Sequence, residues 1–195
     1  MNKFLSLLFL LFASLQLWAQ ENSADSKEFK ISTGIGLASA TENIKSPGSD
    51  IWMEFDYKAL KNFSIAMEFE GMKYKRPGFG PDIPGLKNEA IIHDNNFSFL
   101  IKYHFPTTKK LSFDVASGWT FCVTQSEYYA FKTDSSSISW FPNVTSFSSY
   151  KIPFLGEASY FISKKLDVIA RAKYNLDSEN KGDAYSVSVG LSLRL

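Results

Sequence analysis

The chain lacks most of the usual means of holding a secreted protein together. Cys122 is its single cysteine, so no disulfide can close within the chain, and a disulfide-stapled domain is excluded. Only one long apolar run occurs, at the N-terminus, so a membrane span beyond it cannot be helical. Neither sign of charge dominates: 21 Lys and Arg face 20 Asp and Glu. That balance gives no electrostatic footprint for nucleic acid and no acidic solvated tail. The only histidines are His93 and His104, which leaves little for metal or acid–base chemistry. No segment carries a helical period.

The N-terminal run reads MNKFLSLLFLLFASLQLWAQ. Lys3 supplies a positive start, Phe4 to Leu17 an apolar stretch, and Ala19 a small residue before a cleavage point, the pattern of a secretory signal peptide. Residues 1–19 are therefore expected to be removed. Residues 20–29 are expected to form a short periplasmic segment and 30–195 a single domain.

What that domain does contain is period two. Eight segments alternate apolar with small or polar residues, which predicts strands at 30–40, 51–58, 63–74, 96–105, 111–124, 150–161, 166–176 and 184–195. The connections 59–62, 106–110 and 162–165 are tight. Those at 41–50, 75–95, 125–149 and 177–183 are long or polar. Strands running up and down in order place every long connection at one end, and an even strand count places both termini at the other.

The two faces differ in kind. NNFSFLIKYHF sets Phe97, Phe99, Ile101, Tyr103 and Phe105 on one side and Ser98, Leu100, Lys102 and His104 on the other. Across all segments the apolar face carries one charge, Lys73. The opposite face collects Glu54, Asp56, Glu68, Glu70, Asp114, Glu157 and Asp167, with Lys30, Lys58, Lys102, Lys151, Arg171, Lys173 and Arg194 in equal number. Aromatics on the apolar face gather toward the strand ends, with aliphatics such as Ile65, Ile101, Val115 and Val189 between them. Two aromatic girdles around an aliphatic band describe a lipid-facing wall. A soluble lipocalin-like barrel binding a small apolar ligand would reverse the faces, yet the apolar face is too bulky for an eight-stranded interior.

The final YSVSVGLSLRL, the loop asymmetry and YKIPFLGEASYFI complete a pattern that resembles the small eight-stranded outer-membrane β-barrels of Gram-negative bacteria, the OmpA/OmpX type. The resemblance spans about 30–195. It implies an all-β, antiparallel, up-and-down transmembrane barrel in the outer membrane, with outer-membrane lipid as its solvent. It also implies insertion by the barrel-assembly machinery, which reads a terminal strand usually closed by an aromatic residue; Leu195 stands in that place here.

Charges turned into a narrow lumen must pair or hold water. Strands three and seven lie opposite in such a barrel, so Glu68 and Glu70 are expected to reach Arg171 and Lys173. Glu54, Asp56, Lys102 and Glu157 complete the expected charge network. It reads as a salt-bridged plug, with a gated ion path as the alternative. No catalytic residue, metal ligand or cofactor is assigned. His93 beside Asp94 suggests a lipid-modifying enzyme only if a serine joins it in the fold. DSENKGD departs from a calcium loop at Lys181, and PGFGPDIPG loses backbone donors to its prolines. The long connections 75–95 and 125–149 are candidate surfaces for an extracellular ligand. In the second, Tyr128, Tyr129, Phe131, Trp140 and Phe141 sit among serines as rigid contact material, unless they form a stiff hairpin.

Overall fold

Eight antiparallel strands close on themselves in chain order, as the alternation requires, in the computed structural model. It describes residues 28–41, 47–77, 89–105, 110–134, 137–177 and 183–195, with the backbone alone at 77, 89 and 129–142. The expected signal peptide, residues 1–19, lies outside the described residues. The strands are β1 (Glu28–Ala40), β2 (Ser49–Leu60), β3 (Phe63–Pro77), β4 (Glu89–Phe105), β5 (Leu111–Asp134), β6 (Ser137–Phe161), β7 (Leu166–Asp177) and β8 (Ala184–Arg194).

Closure is made by the terminal strand. β8 pairs with β1 from Lys30↔Arg194 to Ala40↔Ala184, and the Leu195 amide donates to the Phe29 carbonyl at 2.9 Å. In hydrocarbon no backbone edge can stay open, so a strand alternating to its last residue is what closure demands. At the short-turn end, Lys61 and Asn62 join β2 to β3 beside a register shift at Lys58/Leu60. The Ser163 hydroxyl accepts the Lys165 and Leu166 amides at 3.2 and 3.1 Å, fixing the β6–β7 turn.

The outer wall is apolar. Ile35, Ile51, Ile101, Val187 and Val189 are each more than half exposed. Register aligns Phe69, Phe97, Phe121 and Tyr150 across four successive strands. Their rings touch, with centroids 4.8 Å apart for Phe69–Phe97 and 5.7 Å for Phe121–Tyr150. Beyond this row the same face turns to Lys73, His93, Gln125 and Glu127. The opposite rim carries Tyr57, Phe63, Phe105, Phe113 and Tyr160, all exposed. A band bounded by aromatics and ending abruptly in charge matches a hydrocarbon slab.

The strands run farther than the period-two pattern predicts. β4 begins at Glu89, and β5 and β6 pair out to Asp134↔Ser137. The connection 125–149 is thus a long hairpin rather than a loop, and Pro142 sits inside β6 opposite Tyr129. Outside lipid both faces meet water, so the ladder continues after the alternation of hydropathy has stopped.

Candidate functional site

The lumen is where the chain concentrates its chemistry. Alternation turns every second residue inward, and the inward residues of the central strands are largely ionic. Lys102 on β4 is fully buried; its Nζ lies 2.7 Å from Glu54 Oε1, 3.3 Å from Glu157 Oε2 and 3.5 Å from Asp56 Oδ2. Glu157 is met from β1 by Lys30 at 3.6 Å. Arg171 and Lys173 on β7 both bond Glu68 on β3, and Lys173 also meets Glu70 Oε2 at 2.6 Å. Glu54 and Glu68 are direct cross-strand neighbours. Two carboxylates so placed repel, and Lys102 and Arg171 offset that repulsion from opposite sides.

Neutral groups extend the network around the whole barrel. Asn96 and Ser186 donate to Glu70 at 2.9 and 3.3 Å. Ser98 donates to Glu68 at 3.4 Å and shares a 2.8 Å bond with Thr120. Arg171 also lies 4.1 Å above the Trp52 ring, whose Nε1 donates to Ser188 Oγ at 2.9 Å. All eight strands contribute a member, so the network ties the wall together across its diameter.

Toward the long-hairpin end a second cluster centres on Asp94. Its carboxylate accepts Lys151 Nζ at 2.6 Å, the Tyr74 hydroxyl at 2.9 Å and Thr124 Oγ1 at 2.6 Å, with Cys122 against Thr124 at 3.4 Å. Above it Ala38, Ala40, Met72, Tyr74, Ala90, Ile92 and Ala184 form an apolar group in the mouth. Tyr128 packs onto this group, and Asn143 Nδ2 donates to its hydroxyl at 2.8 Å. Toward the short turns, His104 bonds Asp114 at 2.8 Å and Ser64 at 3.0 Å, while Arg194 bridges Asp167 and Glu28 at 2.8 and 3.0 Å.

The structure therefore brings Glu54, Asp56, Glu68, Glu70, Lys102, Glu157, Arg171 and Lys173 into one buried network. Of the aromatic contact candidates, Tyr128 turns inward, and the side chains of Tyr129, Phe131, Trp140 and Phe141 lie outside the described residues. His93 is on the outer face, 3.6 Å from Glu127, and its cross-strand neighbours are Lys73 and Gln125. Neither is a serine, so the geometry gives no support to a His–Ser–acid set there.

Asp50, Trp52, Asp94 and Asn175 are lumen residues that the sequence reading left out. All are buried; Asp50 and Asp94 are found by carrying the strand parity one or two steps past the predicted ends, Asn175 by applying it to an uncharged residue inside the predicted strand, and Trp52 by applying it despite the residue type. These additions overturn the equal tally of acids and bases: the buried lumen is richer in carboxylates.

No family model matches the chain, and no curated protein matches its sequence. Solved structures do match. The fold is that of small eight-stranded outer-membrane barrels. Neisserial surface protein A superposes with a TM-score of 0.58 at 13% identity, over 86% of this chain and 99% of that one. The attachment invasion locus protein Ail of Yersinia pestis gives 0.56 at 12%, over 88% and 100%. OprG of Pseudomonas aeruginosa gives 0.58 at 9%, over 87% and 96%. At such identities the likeness is one of fold.

Proposed function

We propose that the chain is an integral outer-membrane barrel whose lumen is a salt-bridged plug and whose role is surface interaction through the β5–β6 hairpin. One observation carries this reading. β5 and β6 stay paired out to Asp134↔Ser137, whereas β4 leaves β5 at Ile91↔Glu127 and β7 leaves β6 at Lys151↔Asp177. A two-stranded ribbon therefore stands clear of its neighbours. Beyond Glu127 it adds roughly 20 Å of strand at about 3.3 Å per residue.

Its composition fits contact rather than catalysis. Residues 125–149 hold one base, Lys132, two acids, Glu127 and Asp134, and a run of serines and aromatics. That mixture suits a neutral polar partner such as a glycan or a protein surface. Ail, of the same fold, was crystallised with sucrose octasulfate, a heparin analogue, which supports ligand binding by a barrel of this kind. With a single lysine, this ribbon suits a polyanion poorly.

The plug reading rests on the ring of ion pairs and on the apolar group across the mouth. Eight strands enclose a space that side chains fill. The test is expression of the full chain in a Gram-negative host, followed by outer-membrane fractionation and electrophoresis in SDS with and without boiling. A band that shifts on heating, with negligible conductance in planar bilayers, is expected. Recovery from the soluble periplasm, or steady conductance, overturns the corresponding half.

A further inference from the structure

The central network does not balance. Its carboxylates are Asp50, Glu54, Asp56, Glu68, Glu70 and Glu157; its cations are Lys30, Lys102, Arg171 and Lys173. Two negative charges are left over in a space walled by strands and, on the reading above, by lipid. An uncompensated buried charge is far too costly to persist, so positive charge must come from solution.

Asp50 marks where. It is 3% exposed, and neither carboxylate oxygen has a hydrogen-bond partner. The charged groups facing it are Glu70 from β3 and Arg171 and Lys173 from β7. Lys173 is engaged with Glu68 and Glu70, and Glu70 with Asn96 and Ser186; Arg171 is committed to Glu68 through Nη2 alone, and its Nε and Nη1 have no hydrogen-bond partner. Ser186 faces Asp50 as well, and its hydroxyl donates to Glu70 at 3.3 Å. One lumen-facing step beyond Lys173, Asn175 is fully buried and neither atom of its amide is bonded. The two uncommitted carboxylate oxygens of Asp50, beside an excess of negative charge, suit a hard cation. Among the described residues no three His, Cys, Asp or Glu side chains converge as a metal chelate, which argues against a tightly held divalent or transition metal.

We propose that the lumen binds a small monovalent cation, sodium or potassium, at Asp50, and that the barrel is incomplete without it. The proposal rests on the membrane-barrel reading, and the experiment separates the two. The full chain, purified from membranes in detergent, is heated in sodium, potassium or choline chloride at equal ionic strength and mildly alkaline pH. The loss of the compact electrophoretic band gives the midpoint. Sodium or potassium is expected to raise the midpoint saturably, by about 5 °C relative to choline. Asp50→Asn is expected to abolish that difference and to match or exceed the wild-type midpoint in choline. A wild-type midpoint indifferent to the cation but rising as pH falls, with Asp50→Asn flat, shows that a proton supplies the charge and overturns the proposal. So does a cation response that survives in Asp50→Asn. Equilibrium dialysis of the wild-type protein against radioactive sodium reads occupancy without a variant or a band shift. One or two ions per chain, displaced by potassium but not choline, are expected; none bound overturns the site. Absence of the compact band with sodium still bound sinks the membrane reading alone.

Discussion

Lys102 and Glu54 stand 48 positions apart in the chain, and their side chains meet at 2.7 Å with no exposure to solvent. Neither is tolerable alone: each is an ion removed from water, and the other is the nearest opposite charge it meets. Barrel closure is what lets them meet, so the pair reports on the whole ring of strands rather than on one hairpin.

Removing the lysine should therefore be severe. Lys102→Ala leaves Glu54, Asp56 and Glu157 to Arg171 and Lys30, and about 3–5 kcal/mol of stability is expected to be lost. Arg171→Ala leaves Glu68 to Lys173 and Glu54 to Lys102, removes the cation that lies between them, and should cost a similar amount. Lys73→Ala, on the outer face beyond the aromatic row, should stay within about 0.5 kcal/mol. Urea titration of the detergent-solubilised barrel measures all three, and equal midpoints for Lys102→Ala and Lys73→Ala would contradict the network.

Trp52 yields a prediction of packing. Gly34 pairs with Trp52 on one side and with Gly190 on the other. A Cβ on Gly34 would come within 2.7 Å of the indole and 2.4 Å of the Val189 carbonyl. On Gly190 it would lie 2.8 Å from the indole and 2.3 Å from the Thr33 carbonyl. The glycines let a large ring lie flat against the wall beneath Arg171. Gly34→Ala should lose roughly 1–3 kcal/mol by overpacking, seen as a lower unfolding midpoint; an unchanged midpoint would show that the wall yields freely.

How much of this was readable beforehand depended on the solvent each segment faces. β8 was plain because lipid on one side and ions on the other force strict alternation from Tyr185 to Leu195. The opposition of Glu68 and Glu70 to Arg171 and Lys173 followed from strand number and parity alone. The outer parts of β4, β5 and β6 were hidden for the converse reason. HDN, QSEYY and SISW lie beyond the slab, where no hydropathy difference between faces is needed, and they read as loop while forming ladder. Asp50 and Asp94 fell just outside the predicted ends of their strands, and that small error concealed the excess of acid. Trp52 was obscured by its type, since an aromatic on such a strand suggests the lipid side, and only parity places it within.

The lipid-facing band predicts a depth dependence that a soluble barrel would not show. Ile101 is 64% exposed, midway on β4 between Phe97 and Phe105, and Ile101→Arg should cost about 2–4 kcal/mol and lower recovery from the outer membrane. Ser146→Arg, on β6 beyond Tyr150, should cost about 0–1 kcal/mol. Comparable recovery of both variants from the membrane fraction would argue that no hydrocarbon covers Ile101.

The hairpin supplies the sharpest separation of fold from role. Replacing 129–142 by a two-residue turn such as Asn-Gly, which favours tight hairpins, removes ribbon that neither β4 nor β7 touches. The last β4–β5 pair, Ile91↔Glu127, and the last β6–β7 pair, Lys151↔Asp177, both stay. So does Asn143, whose amide holds the Tyr128 hydroxyl over the mouth. The shortened chain should reach the outer membrane, keep its heat-shifted band, and unfold within about 1 kcal/mol of the parent, since isolated two-stranded ribbon adds little stability. If the ribbon is the contact surface, binding of cells displaying the full chain to immobilised glycans or matrix proteins should fall to background on deletion. A deletion that folds normally and binds as before would move the interaction to another loop. A deletion that fails to assemble would make the ribbon part of the folding path instead.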